Sequence, residues 1–331
     1  MTDRLDTESG TTANSKPEWD PDRLPEKWPW MLRWHVPRFL KGLVPRIVVQ
    51  GVRDLKGRAL GHDFPRHVEY TQSSEDAQAS ASFSIVVAIH DAPTVTRRCL
   101  ASLEKYAPES EVILVDDGSK LTETQEVIRH FTGRGGWKIV RHEKPLGHSE
   151  ACRAGTRVAT RPYLCLLNSD TVVTPWCWRR IKEAFEHDPK IGAAGPSTSV
   201  GGTAQVLSVA TYLSPLWNDN QICAFAKRLL TQFPEPVEMD LPWVSGFAFF
   251  IRRSLWEQFG GFDQKLPDYG NEIELCSRIA EKGYRIVWVR NSYVHHFGGE
   301  SYGQLIGHEG IRERVQAALT YINHKKRPTA P

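Results

Sequence analysis

Three signatures are missing from this 331-residue sequence. Its six cysteines (Cys99, Cys152, Cys165, Cys177, Cys223 and Cys276) form no CxxC pair, and most lie in apolar or helical patterns. That argues against a disulfide scaffold or a zinc site and for reduced thiols in a cytosolic protein. No apolar run reaches the ~18 residues that a membrane-spanning helix needs, and the acidic, polar start reads against a secretory signal. Neither common phosphate loop occurs: HDAPTV (residues 90–95) stands where a GxGxxG would open the first helix, and there is no GxxxxGK(S/T). A dinucleotide-dependent dehydrogenase, a methyltransferase and a phosphate-loop ATPase are therefore disfavoured. Neither sign of charge dominates, with 42 Lys and Arg against 39 Asp and Glu, and a net charge of +3 is too small to imply nucleic-acid binding.

What is present is ordinary for a soluble globular protein, with 40% hydrophobic and 24% charged residues. The length suits two domains or one α/β domain with extensions. Residues 1–22 are polar, more acidic than basic and without period, and are expected to be disordered. Residues 23–70 carry ten Lys/Arg against four Asp/Glu, with Trp28, Trp30, Trp34, Phe39 and Leu43 interleaved. Such a segment can lie on an anionic membrane surface, or pack on the catalytic domain or a partner with its basic groups solvated. Residues 71–82, rich in Ser, Ala and Gln, read as a linker.

From Phe83 the pattern changes. Residues 84–89 (SIVVAI) form a β-branched strand, followed by an amphipathic helix over 95–106. A second buried strand (111–115) ends in Asp116-Asp117-Gly118-Ser119, and a helix over 122–131 opens with Thr122 and Gln125 at capping-box spacing. A third strand (137–141) leads through Leu146-Gly147-His148-Ser149 to a small-residue helix over 151–159. The strand 163–168 (YLCLLN) is apolar on both faces and ends abruptly in Ser169-Asp170-Thr171. This alternation is that of a doubly wound α/β unit with a mostly parallel sheet. Beyond it come a helix over 175–187, a short strand over 191–196 and a poorly patterned stretch over 201–236, expected to face substrate as an excursion or lid. A strand over 248–252, a helix over 255–259, a helix over 273–282 closed by Gly283 and a strand over 285–289 follow.

In open α/β sheets ligands sit outside the carboxyl ends of the strands. Asp91, Asp116, Asp117 and Asp170 stand at three such ends, a pattern suited to a nucleotide's hydroxyls and amides and to a metal-bridged pyrophosphate. For Asp170 alone, a polar turn that merely ends the strand is an equal reading.

The pieces SIVVAIHDAP, ILVDDGS, LGHSEACRAG, LLNSDTVVTPWC, VSGFAFFIRRSLWEQFGGFD, NEIELCSRIAEKGY and VHHFGGES, in this order, resemble the family-2 glycosyltransferases, inverting nucleotide-sugar enzymes of the GT-A fold. They span about two thirds of the chain, and the similarity is greatest to the rhamnosyltransferase-like branch, whose metal motif often reads NxD. The resemblance implies a GT-A domain over residues 83–305, with a nucleotide-binding half (83–175) and an acceptor half (176–305), then a C-terminal helix and tail (306–331). By position, Asp117 is expected at the base or ribose, with Asp91 and the backbone of Ile89 edging the same pocket and Arg153 either reaching the nucleotide or making a surface ion pair. Asp170 corresponds to the metal-ligating aspartate and Asn168 to its partner, acting through water or the sugar. His296, with Gly299 and Ser301, fits an HxxGxS pattern that completes the shell of Mn²⁺ or Mg²⁺; His295 competes for that role. Trp243 and Gly246 are expected at the acceptor.

An inverting transfer needs a carboxylate base, and the family places it in an ED pair before a helix. Here the pair is Asn271-Glu272, so Glu272 is the expected base, with Glu274 or a helix-capping role for Glu272 as alternatives, and Asn271 beside it at the acceptor. The helix N-terminus is expected to favour its ionised form. Together these imply sugar transfer from a UDP- or dTDP-sugar to a hydroxyl on a glycan, lipid-linked or other acceptor, in a cytoplasmic protein or one peripheral to the inner face of the membrane. A catalytically silent nucleotide-sugar-binding or scaffold protein of the same fold is the main rival, and a nucleotidyltransferase the second.

Overall fold

The computed structural model describes residues 73–326 apart from 202, 208–216, 236 and 299–302. The expected disordered start, the basic aromatic segment up to residue 70, and Gly299 and Ser301 of the HxxGxS pattern lie outside them.

The chain order is α1 (Ser74–Ser80), β1 (Phe83–Ile89), α2 (Pro93–Tyr106), β2 (Glu111–Asp117), α3 (Thr122–Gly135), β3 (Lys138–His142), α4 (His148–Thr156), β4 (Tyr163–Asn168), β5 (Thr171–Val173), α5 (Cys177–His187), β6 (Ile191–Ser197), α6 (Asp219–Gln232), β7 (Glu238–Asp240), β8 (Ala248–Arg252), α7 (Arg253–Phe259), α8 (Asn271–Glu281), β9 (Arg285–His296) and α9 (Gly303–Lys326). The strands make one sheet in the order β3-β2-β1-β4-β8-β6-β9-β5, with β7 on β9. β3, β2, β1 and β4 run parallel, β8 is antiparallel to both β4 and β6, and β6 runs parallel to β9.

The alternation of β1 side chains builds two cores. Phe83, Ile85, Val87 and Ile89 face one cluster with α2, α3 and α5, whereas Val86 joins α4, α7 and α8 on the other side. Phe83 is fully buried against Trp178 and Phe250, with ring centroids 5.6 and 5.7 Å away, each such ring contributing roughly 1.5–3 kcal/mol by leaving water. α4 lies so close to the sheet that a Cβ on Gly155 would come within 2.3 Å of Val86 Cγ1 and 2.9 Å of Val115 Cγ2. All six cysteines are buried and free.

Several local expectations change. The 71–82 linker contains α1, capped by Ser73, whose Oγ accepts the N–H of Asp76, and Asp76 meets Arg179 of α5 at 3.2 Å. α3 has Leu121, not Thr122, at its N-cap and no side-chain cap, since leucine carries no acceptor; the N–H groups of Lys120 and Leu121 go to Asp91 Oδ1. The unpatterned 201–236 stretch holds α6, opened by an Asn218–Gln221 capping box. Its buried residues 222–226 are consecutive, which hid the helical period. β9 outruns the expected strand: its register with β6 shifts past Pro196, and its second half pairs with β5. Gly283, at φ 83°, does sit one residue past the C-cap of α8, the left-handed position that favours glycine.

α9 is strapped to the segment before α8. Arg314 pairs with Asp268, Lys325 Nζ reaches Asp263 and Glu274 at 2.7 and 2.6 Å, and Ala318 and Ile322 pack around Leu266.

Gly155→Ala is expected to destabilise by about 1–3 kcal/mol through overpacking, read as a lower urea midpoint; an unchanged midpoint would show that α4 can back away from the sheet. Glu111 ties β2 to β3 and to the turn at Thr160. Burial raises its pKa, but Lys138, Ser84 and Thr160 outweigh that and bring it from 4.5 down to about 2. Its contribution is therefore complete above the ordinary value and lost as pH falls through the folded one. Glu111→Gln should flatten the loss of stability between about pH 4.5 and 2, measured by denaturation at stepped pH.

Candidate active site

The carboxyl ends of β2, β1 and β4 lie on one sheet edge, as parallel neighbours must. Each ends in an acidic loop, and the loops are laced together. Ile89 closes β1 in register with Asp116 and is fully buried. Asp91 and Ala92 then adopt left-handed backbone, φ 52° and 56°. For residues with a Cβ this costs about 1–3 kcal/mol each and is held only by surrounding bonds. The N–H of Asp91 donates to Ser119 Oγ at 3.0 Å, and Asp91 Oδ1 accepts the two amides that lead into α3. Gly118 provides the turn beneath: at φ 68°, a Cβ there would lie 2.7 Å from the carbonyl carbon of Lys144.

Asp117 is 2% exposed. Its Oδ1 faces His142 Nδ1 at 2.7 Å and accepts the N–H of Leu146 at 2.9 Å, and its Oδ2 accepts the N–H of Gly147 at 2.9 Å. The carboxylate thus organises the 142–147 loop, with two partners at Oδ1 and one at Oδ2. Asp116 is buried beside Arg141, 2.9 Å away, and His90 Nδ1 lies 2.8 Å from the carbonyl of Asp117.

The second cluster forms where β4, β8, β9 and α8 converge. The N–H of Asn168 donates to the carbonyl of Phe247 at 2.9 Å. Asp170, 1% exposed, stands with Oδ1 3.2 Å from His296 Nε2. Pairing of Thr171 with His296 and of Val172 with His295 turns the two histidines to opposite sides. His295 is buried with Tyr293 Oη 3.0 Å from Nδ1, and burial, then Arg98 and His296, push its pKa down to about 3, so it is neutral core. His296 is the one brought to Asp170. Burial lowers its pKa, yet the Asp170 carboxylate outweighs burial and the net shift is upward.

Gly246 and Phe247 join this pair to Glu272. The Phe247 ring stacks on His296, centroids 5.3 Å apart and planes at 19°. One residue earlier, a Cβ on Gly246 would lie 3.6 Å from Glu272 Oε1. Glu272 is half-buried at the start of α8. Burial raises its pKa, partly offset by its own N–H and that of Gly246, so desolvation outweighs the helix-terminal preference for the ionised form. Glu274, the alternative base, is buried in an ion pair with Arg278 at 2.6 Å and with Lys325.

Two expected contacts fall elsewhere. Arg153 donates to the carbonyls of Gly260 and Phe262 at 2.7 and 3.1 Å and pairs with Glu150, stapling α4 to the turn before α8 rather than reaching a nucleotide. Asn271 is 2% exposed and its amide is spent within the protein, on Ser149 Oγ and the N–H of Glu272, both at 2.8 Å, not on an acceptor. Trp243 is half-buried against the α4, α7 and α8 core. The sequence reading missed His142, Phe247 and Ser149. His142 alone had a signal, one residue past the strand that parallels β2.

Among the described residues no group of three or more His, Cys, Asp or Glu converges on one point. The Asp170–His296 pair fits a divalent cation nonetheless. Two donors of a cation at about 2.1–2.2 Å and a right angle lie about 3 Å apart, close to the 3.2 Å seen. His296 Nδ1 is 3.2 Å from the carbonyl of Val200; a proton there leaves the Nε2 lone pair turned to Asp170.

Known proteins share this arrangement in part. The glycosyl transferase family 2 pattern matches residues 84–232, and glycosyl transferase family group 2 matches residues 163–319. An N-acetylglucosaminyl-diphospho-decaprenol L-rhamnosyltransferase of Mycobacterium tuberculosis is 27% identical over 43% of this chain and 49% of its own length. The O-antigen biosynthesis protein RfbC of Myxococcus xanthus is 25% identical over 64% of this chain and 17% of its own. The chain thus spans half or less of these relatives. The mannosyltransferase PcManGT of Pyrobaculum calidifontis, solved with GDP-Man and Mn²⁺, superposes with a TM-score of 0.53 at 17% identity, over 76% of this chain and 66% of that one. The chain thus carries a glycosyl transferase family 2 domain, matched over residues 84–232, and is built on the GT-A fold.

Proposed function

We propose that the protein transfers a sugar from a nucleoside diphosphate, a UDP- or dTDP-sugar, to a hydroxyl acceptor in glycan or glycoconjugate assembly, with inversion at the anomeric carbon. The observation that carries this reading is the Gly246–Phe247 step, which sets a buried Asp–His pair and a half-buried carboxylate on either side of two consecutive residues. Diphosphate affinity and proton acceptance then sit within one site, at the sheet edge where nucleotides bind.

In this reading the loops held by Asp91 and Asp117 cradle the nucleoside, with Asn168 beside the sugar. Asp170 Oδ1 and His296 Nε2 would hold Mn²⁺ or Mg²⁺. When bound, the cation neutralises the charge that develops on the departing diphosphate. Glu272 removes the acceptor hydroxyl's proton as that oxygen attacks the anomeric carbon from the face opposite the diphosphate, whose bond to the sugar breaks. A pKa raised by burial suits a base that must accept a proton near neutral pH. Gly246 and Trp243 border the acceptor. The relatives named for rhamnosyl transfer to a polyprenyl diphosphate and for O-antigen assembly support a surface-glycan acceptor.

Isothermal titration of UDP, dTDP and GDP with Mn²⁺ should show tight binding of one diphosphate that is lost with EDTA and in Asp170→Ala. Metal-independent binding of every nucleotide would overturn the assignment of the pair. Because cation binding needs neutral His296, and its pKa is raised, Mn²⁺ affinity should weaken as pH falls through that value, with proton release on binding; His296→Gln should abolish the pH dependence. Glu272→Gln should lower turnover by roughly two to four orders of magnitude while leaving nucleotide affinity near that of the wild type, and wild-type turnover in that variant would eliminate Glu272 as base.

A further inference from the structure

Between the 142–147 loop and Glu272 runs a set of hydrogen bonds, most of them buried, joined through the backbone of residues 147–149. Gly147, Ser149 and the N-terminus of α4 stand on one side. The N–H of Gly147 is held by Asp117 Oδ2 at 2.9 Å. Two residues on, Ser149 is 2% exposed and triply engaged. Its N–H donates to the carbonyl of Pro267 at 2.8 Å, its hydroxyl donates to the carbonyl of Leu266, and its Oγ accepts from Asn271 Nδ2 at 2.8 Å. The other end of the Asn271 amide, Oδ1, accepts the N–H of Glu272 at 2.8 Å.

Asn271 is the first residue of α8, so the N–H of Glu272 is one of the amides that a helix start leaves without an intrahelical acceptor. Satisfying it from the side chain of Asn271 fixes the first turn and with it the direction in which Glu272 projects toward Gly246. Since Asn271 is itself anchored on Ser149, the first turn of α8 is referenced to the loop that Asp117 organises, not to α8 alone. Asp268 adds a parallel tie, taking the N–H of His148 at 3.4 Å on one oxygen and Arg314 of α9 on the other.

We propose that Ser149 and Asn271 are positioning residues for Glu272, registering its carboxylate against the donor-side loop; this rests on Glu272 being the base. An amide serves here where a carboxylate could not, because one end must donate to Ser149 Oγ while the other accepts from the backbone. A misplacement of a catalytic group by about 1 Å costs up to ~10²-fold in rate, which sets the scale of the expected effect.

The test uses the full chain and Mn²⁺-dependent hydrolysis of UDP-glucose and dTDP-rhamnose, with water as the acceptor. Asn271→Ala and Ser149→Ala should each lower kcat about 10–100-fold with the donor KM within about twofold of wild type. Ser149→Thr, which retains the hydroxyl, should recover most of the rate. In a Glu272→Gln background, adding Asn271→Ala should cost less than about twofold, since a residue that acts through the base has nothing left to position. Full kcat in both alanine variants, or losses that multiply with that of Glu272→Gln, would overturn the positioning role while leaving the base in place. Wild-type hydrolysis by Glu272→Gln itself would instead remove the base assignment beneath it. Were Asn271→Ala not to fold, Ser149→Ala and Ser149→Thr carry the same comparison.

Discussion

The antiparallel placement of β8 between β4 and β6 is the constraint from which the site follows. β4 delivers Asn168 and Asp170 at its carboxyl end. A parallel neighbour would bring its own carboxyl end there, but the reversed β8 brings its beginning, and Gly246–Phe247 therefore lies at the nucleotide edge. The bond from the N–H of Asn168 to the carbonyl of Phe247 continues this pairing past the last ladder residues. β6 reverses direction again and β9 follows it in parallel, so His296 at the end of β9 returns to the same edge. Two reversals of strand direction thus collect Asp170 and His296, more than a hundred positions apart.

Buried and half-buried carboxylates do much of the local work. Asp91, Asp116 and Asp117 each accept backbone or cationic donors from a neighbouring loop. Removing a carboxylate from water is costly unless its lone pairs are met, and charge-assisted bonds to N–H groups are stronger than neutral ones. Loops that would otherwise be independent are in this way held to one another, and the left-handed turn at Asp91–Ala92 is sustained by the same bonds. The acidic strand ends therefore have two roles, ligand recognition in the proposed chemistry and loop construction in the structure. A pattern of Asp at strand ends cannot separate them.

On the acceptor side, charge is paired differently. Asp263, Asp268 and Glu274 are met by Lys325 and Arg314 from α9. The carboxylate left out of these pairs is Glu272, which has backbone N–H groups but, among the described residues, no cation beside it and a pKa that burial raises. Two neighbouring glutamates on one helix turn are thus set apart by their surroundings, one neutralised by Arg278 and Lys325 and the other available for the proposed chemistry.

The alternation of apolar strands and amphipathic helices determined the α/β class, and the strand ends located the edge where the proposed site lies, because period and burial are local properties of the chain. Glycine at 283 and the limits of β8 were legible for the same reason. Hidden from that reading were the helix at 219–232, whose apolar residues run together, and the second half of β9, whose Asn291 and Ser292 are polar yet buried, their side chains donating to the carbonyls of Phe233, Glu235 and Cys177. The partners of each side chain belonged to the tertiary structure alone. That Asn271 turns inward to Ser149, that Arg153 staples a turn, and that His296 rather than His295 meets Asp170 depend on strand direction and register, which bring together atoms that sequence spacing does not relate.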